Sequence, residues 1–225
     1  MAKEVQLAQT SPEQVVAILG PRLSDERRNR IDGVVSHRTH ELTVAIEGVN
    51  DPHNTAAVIR SADAFGVQVV HVLERGIRFR SSRKVTQGAH KWIDLGVWQR
   101  ADQFCDAMRA EGKKVLIAAA DGEADLGKMD DQGGLALVFG NEHEGVSAEM
   151  RQHADGAFRI PMWGFVESLN ISAAAAIVLS SLRRDGQGTL SPKEQGILRA
   201  RFYLRAVRAG FDIVQRQLRK SGPRR

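Results

Sequence analysis

TVAIEGV (43–49), NTAAVIRSADAFG (54–66) and VQVVHVL (67–73) follow one another almost without interruption. The first and third are short runs rich in Val, Ile and Leu, the composition of a strand covered on both faces. The middle segment carries apolar residues at helical spacing and closes on Gly66, a residue suited to the left-handed turn that ends a helix. The reading is strand, helix, strand, with too little connecting chain for anything but a crossover unit. Strands that alternate with helices and are near-continuous Val/Ile/Leu runs argue for parallel pairing in a sheet covered on both faces.

The same alternation continues downstream. ADQFCDAMRAEG (101–112) reads as a helix and KKVLIAAA (113–120) as a strand. LALVFG (135–140) is a strand, VSAEMRQHA (146–154) a short helix, AFRIPM (157–162) a strand stopped by Pro161, and NISAAAAIVLSSLRR (170–184) a helix. GIRFRSSRKVTQGAHKW (76–92) is basic and irregular and reads as a loop. The fold class is α/β, a parallel sheet flanked by helices. In such sheets a ligand lies beyond the carboxyl ends of the strands. Three polar stretches, Asp51–Asn54, Gly140–Gly145 and Met162–Asn170, each directly follow a predicted strand and are expected to converge there.

The flanks have a different character. Residues 1–20 carry no strong periodicity and read as a loosely constrained lead-in. A helix is expected over 24–39, with Ser24 as N-cap, Asp25 and Glu26 in the first turn, and an apolar face of Ile31, Val34 and Val35. One long helix is expected over 193–220, with an apolar seam at Ala200, Leu204, Val207, Phe211, Val214 and Leu218 and an arginine stripe at Arg201, Arg205 and Arg208. Three regions result: a basic N-terminal helical extension (1–40), the α/β domain (41–185) and a basic C-terminal helix (186–225).

Charge is distributed unevenly. The chain of 225 residues has a formal charge of +5, yet residues 183–225 hold 12 Lys/Arg against 3 Asp/Glu, leaving the rest slightly acidic. A basic tail on an acidic body fits either a polyanionic partner such as nucleic acid or a solvated basic helix. No apolar run is long enough to span a bilayer, and the N-terminus lacks the layout of a secretory signal, so a cytoplasmic protein without membrane contact is expected. Cys105 is the sole cysteine. It excludes an internal disulfide, and since no carboxylate or cysteine cluster completes a ligand set with His37 and His40, no metal is expected.

Each motif alone has a plain structural reading. Gly140-Asn-Glu-His-Glu-Gly145 has the glycine spacing of a P-loop but lacks the following Lys and Ser/Thr, which excludes a nucleotide hydrolase of that type. Asp51 or Asn54 is a sufficient helix cap with Pro52 in the first turn. The stretch from Ile160 to Asn170 is an apolar loop leading into an alanine-rich helix, which calls for burial or a ligand.

Together and in this order, the three stretches resemble the motifs of the SpoU group of the SPOUT methyltransferases. The first runs from Pro52-His53-Asn54 through Arg60 to Gly66-Val67. The second is Phe139-Gly140-Asn141-Glu142 with Gly145. The third runs from Ile160-Pro161-Met162 through Ser168-Leu169-Asn170-Ile171-Ser172. Gly88-Ala89-His90-Lys91-Trp92 and the basic lead-in helix are most similar to the tRNA guanosine-2′-O-methyltransferase branch.

The resemblance implies a C-terminal deep trefoil knot, a homodimer, S-adenosylmethionine as cofactor and tRNA as substrate, methylated at a D-loop guanosine. It implies catalytic roles for Asn54, Arg60, Glu142 and Asn170. Cofactor contacts fall on Ala119, Ala120, Phe139, Gly140, Asn141, Ile160, Met162, Ser168, Leu169 and Ile171. RNA contacts are expected at Arg27, Arg28, Arg30 and Arg38 of the basic lead-in helix, at His90, Lys91, Arg183 and Arg184, and, from charge alone, at Arg201 and Arg205 of the C-terminal stripe. Glu167 stands where some members have Gln, and Ala119–Ala120 where some have Thr. Ribosomal RNA as substrate, or a non-catalytic RNA-binding protein on the same fold, are the alternatives.

Overall fold

The computed structural model describes residues 10–49, 51–76, 88, 91–129, 134–141 and 144–221. The helices among them are α1 (Pro12–Leu19), α2 (Asp25–Ser36), α3 (Pro52–Ala64), α4 (Ala101–Ala110), α5 (Ala148–His153), α6 (Ile171–Leu182), α7 (Pro192–Ala206) and α8 (Gly210–Ser221). The strands are β1 (Thr39–Glu47), β2 (Val67–Leu73), β3 (Asp94–Trp98), β4 (Lys114–Ala118), β5 (Ala124–Asp125), β6 (Leu135–Phe139) and β7 (Gly156–Arg159). Two compact units are formed, one from residues 39–187 and one from within 1–38 and 188–225.

The larger unit is a seven-stranded sheet in the order β3-β2-β1-β6-β4-β7-β5, with every neighbouring pair parallel. Both faces are apolar, as expected of a parallel sheet under helices. Because successive side chains point to opposite faces, Val44, Ile46, Leu137 and Phe139 pack on one side with Val58 and Ile59 of α3 and Ala175 and Val178 of α6. Ala45, Ala136 and Val138 face the other side with Phe104 and Met108 of α4 and Met150 of α5. Cys105 lies fully buried in this second cluster, and burial pushes its thiol up to about 11. It is a packed side chain and not a nucleophile.

β3 escaped the sequence reading. Its residues Asp94–Trp98 are partly exposed at the sheet edge, so no apolar run marks them. Gly96 is required there: a Cβ would stand 2.2 Å from Nδ1 of His71 on β2. Trp98 Nε1 donates to that same nitrogen at 3.0 Å, and Phe104 closes the cluster edge-on at 5.4 Å from the imidazole.

Within the smaller unit, α1 corrects the expectation of an unstructured lead-in. Ser11 and Gln14 form a reciprocal capping box, and Val15 and Leu19 are buried. The helix is short, which is why its periodicity is faint in the sequence. α2 begins at the expected cap, with Arg27 N–H donating to Ser24 Oγ. α1 packs on α7 and α8, and α2 on α7.

The single C-terminal helix expected over 193–220 is two. Ala209 adopts φ 55°, and Gly210 sits so close to the end of α7 that a Cβ would be 2.7 Å from the carbonyl oxygen of Leu204. The apolar spacing runs on across this break and so conceals it. No described helix is long and apolar enough to cross a membrane.

His71 gives the fold a pH dependence. Burial lowers its imidazole from 6.5 to about 4, with Glu111 opposing and Lys113 reinforcing. The folded chain therefore prefers the neutral ring, while the unfolded chain takes up a proton near its ordinary value. Stability is complete above about pH 6.5 and falls as pH drops toward about 4, by on the order of 3 kcal/mol. Urea midpoints measured through this window are expected to decline with acidification, and the decline is expected to flatten in His71→Gln.

Candidate functional site

A cavity of about 420 Å³ opens beyond the carboxyl ends of β4, β6 and β7. Three loops build it. Ala118, Ala119 and Ala120 come from the end of β4, Phe139, Gly140, Asn141, Gly145 and Val146 from the turn after β6, and Ile160, Met162, Glu167, Ser168, Leu169 and Ile171 from the segment between β7 and α6. All ten residues expected to contact a cofactor line this one cavity. Its size suits a small organic ligand.

The turn after β6 is held by its own backbone. Asn141 and Gly145 exchange two hydrogen bonds, at 3.2 and 2.9 Å, and Gly145 takes φ 66°. Gly140 packs so tightly on this turn that a Cβ would lie 2.1 Å from the carbonyl carbon of Gly145. Only glycine leaves the backbone that close. The Asn141 side chain is turned to structural use: its Nδ2 donates to the carbonyl of Gly48 at 3.2 Å, and its Oδ1 accepts from the Glu144 N–H at 2.9 Å. Glu142 lies outside the described residues.

Glu47 is a site-building residue that the sequence reading missed. It is buried at the end of β1, and its carboxylate accepts from both the N–H (2.7 Å) and the hydroxyl (2.6 Å) of Ser147. Ser147 in turn caps α5. The acidic residue inside an apolar strand was the available signal. At the rim, Arg151 grips Asp121 with both nitrogens at 3.2–3.3 Å, and this bond holds the Asp121 carboxyl below its usual range.

The first and third motifs meet beside the cavity. Asn170 caps α6, its Oδ1 accepting from the N–H of Ser172, while its Nδ2 donates to Asn54 Oδ1 at 3.1 Å. Asn54 occupies the first turn of α3, which Asp51 caps. Two helix N-termini thus stand side by side at one polar edge, a position that favours negative charge. At their far ends Arg183 donates to the carbonyl of Phe65 at 3.2 Å, fixing α6 along α3. Arg60 lies exposed on α3, about 9 Å along the axis from Asn54. It does not line the cavity.

Several residues expected to meet RNA have other duties. Arg38 has no exposed surface and lies 5.8 Å from the ring centre of Phe202, so it is corrected to a packed residue. Arg183 is spent on the carbonyls of Phe65 and Gln187. Arg28 is tied to the Gly20 carbonyl and to Asp25. Arg27, Arg30, Lys91 and Arg184 are exposed, and Arg201 and Arg205 half-buried on α7. His90 is outside the described residues. Among the described residues, no group of His, Cys, Asp and Glu is arranged to hold a metal ion.

Residues 41–180 match the profile of the SpoU rRNA Methylase family. The chain is 31% identical to a Borreliella burgdorferi tRNA (guanosine(18)-2′-O)-methyltransferase, over 86% of this chain and 91% of that one. Its fold is similar to the A. aeolicus TrmH/SpoU tRNA modifying enzyme, with TM-score 0.71 and 29% identity over 82% of this chain and 98% of the other. It is also similar to an AdoMet-bound rRNA methyltransferase from Sinorhizobium meliloti, with TM-score 0.58 and 28% identity over 68% of this chain and 59% of that one.

The Glu47–Ser147 contact predicts a measurable cost on removal. Glu47→Ala leaves a backbone N–H and a hydroxyl without their acceptor, which costs about 1–3 kcal/mol. The urea midpoint is expected to fall accordingly, and an unchanged midpoint would show that the contact holds nothing.

Proposed function

Because the chain belongs to the SpoU rRNA methylase family, we propose that it methylates a ribose 2′-hydroxyl of tRNA, at a D-loop guanosine. It is an RNA 2′-O-methyltransferase, and its methyl donor is S-adenosylmethionine. The observation that carries the substrate reading is the likeness to a tRNA (guanosine(18)-2′-O)-methyltransferase along most of both chains. The cavity supports the cofactor reading on chemical grounds. Its walls combine small residues, apolar side chains and exposed backbone from three loops, a lining suited to a nucleoside with an aliphatic arm.

When bound, S-adenosylmethionine supplies a methyl group on a positively charged sulfur that becomes neutral on transfer. Phe139, Ile160, Leu169 and Ile171 provide the water-poor surroundings that favour this loss of charge. Ser168, exposed at the cavity wall, and the Asn54–Asn170 pair orient the ribose by hydrogen bonds. Arg60 stabilises the alkoxide that develops as the hydroxyl proton passes to solvent water, and steadies a neighbouring phosphate. A guanidinium carries a fixed positive charge, so this role is electrostatic and not that of a free base. Glu142 completes the catalytic set. Arg27, Arg30, Lys91, Arg184, Arg201 and Arg205 contact the RNA backbone, with binding that weakens steeply with salt.

The finer structural reading has the same basis. We infer a homodimer, a deep trefoil knot in the C-terminal part of the α/β domain, and a cytoplasmic location, since these go with the family. Ribosomal RNA is the second reading, favoured by the family's description and by the Sinorhizobium meliloti neighbour.

Mapping 2′-O-methyl sites in total RNA from cells with and without the protein separates the two. Loss of a tRNA D-loop methylguanosine is expected, and loss confined to ribosomal RNA would replace the first reading with the second. Arg60→Lys is expected to lower kcat about 10²-fold with little change in S-adenosylmethionine affinity, because a point charge does not replace a planar fork. Near-normal turnover in that variant would remove Arg60 from the mechanism.

A further inference from the structure

Trp163 and Phe165 are 94% and 108% exposed, and Val166 between them and the cavity is 63% exposed. They are the exposed aromatic side chains among the described residues, in a chain with 5% aromatic residues. Scattered apolar residues on a surface need no explanation, but a cluster of this kind at the rim of a site does. The cluster is an extension of the cavity wall: Met162 immediately before it and Glu167 immediately after it both line the cavity, and Asn170, bonded to Asn54, follows three residues later. Gly164, between the two rings, has no neighbour among the described residues that an added Cβ would meet within 4 Å.

We propose that Trp163 and Phe165 form a stacking platform for the base of the nucleotide whose ribose is methylated. The inference rests on the proposed function and specifies what that site takes. A ribose hydroxyl must approach the methyl group at about 3–3.5 Å. A nucleotide held within a stacked RNA helix cannot bring its sugar so deep, and enzymes that act on such nucleotides splay them out and rest the base on aromatic faces. With the sugar at the cavity mouth beside Asn54 and Asn170, the attached base falls on the outer lip, where these rings are. Stacking accepts any base, so the platform supplies hold and position, while the choice among bases is left to polar groups nearby such as Glu167.

The test uses the full chain and a tRNA transcript, intact or with an abasic ribose at the acceptor position. Trp163→Ala and Phe165→Ala are each expected to weaken binding of the intact transcript about tenfold. The same variants are expected to bind the abasic transcript as the wild type does, because the base they would hold is gone. Trp163→Phe is expected to restore most of the affinity, and S-adenosylmethionine affinity is expected to stay unchanged in all variants, which also establishes that they fold. In the wild type, tRNA is expected to shield from acrylamide the part of the tryptophan fluorescence that Trp163→Phe removes.

Equal losses on both transcripts, or no loss on either, would overturn the platform. So would dissociation of the protein into smaller species in Trp163→Ala, because the rings would then belong to a contact between copies of this chain. A wild type that binds tRNA without methylating it would count against the proposed function, while the intact-transcript binding and shielding measurements still decide on the platform.

Discussion

The cavity depends on a place where two strands of backbone touch with nothing between them. Gly140 faces the Gly145–Val146 peptide at a separation that excludes even a methyl group. That approach lets Asn141 and Gly145 bond to each other, directs the Asn141 side chain to the end of β1, and leaves the turn's outer face to the cavity. The buried Glu47 reinforces it from below by holding Ser147. An anionic side chain in an apolar strand is tolerated because both of its oxygens are satisfied, and its loss would strand its partners. The site is therefore shaped chiefly by backbone contacts and by side chains aimed away from the ligand, which explains why several conspicuous polar residues near it serve structure.

Much of this was legible in the residues. Periodicity located the strands at 43–49, 67–73, 113–120, 135–140 and 157–162 to within a few positions, because a parallel sheet buried on both faces must be apolar throughout. The expected cofactor residues line one cavity because they follow strand ends, and strand ends in such sheets lie on one rim. What failed did so for local reasons. β3 is partly exposed and contains a glycine demanded by His71, so it lacks a strand's composition. The break at Ala209–Gly210 preserves the apolar spacing on both sides and leaves no trace in periodicity. Arg38 and Arg183 read as surface charges because sequence gives charge without direction. Arg38 is packed by Phe202, 164 positions away, and Arg183 bonds Phe65, 118 positions away.

The paired helices α3 and α6 show how distant segments become one functional edge. The Asn54–Asn170 bond joins their beginnings and the Arg183–Phe65 bond joins their ends, so the register between them is fixed at two points. A shift of either helix by one turn would break both bonds and move Asn170 about 5.4 Å from Asn54. Side chains held this way need little reorganisation when a substrate arrives, which is the condition under which dipoles accelerate a reaction.

The smaller unit combines segments from both sides of the α/β domain in sequence: α1 and α2 precede it, and α7 and α8 follow. During synthesis, α1 and α2 leave the ribosome with their apolar faces uncovered and stay so until some 150 further residues have been made. The domain between them can complete its sheet meanwhile, because its described strands lie within 39–159. Translation thus delivers the segments of the catalytic framework before α7 and α8, so α1 and α2 are made first and receive their packing partners last.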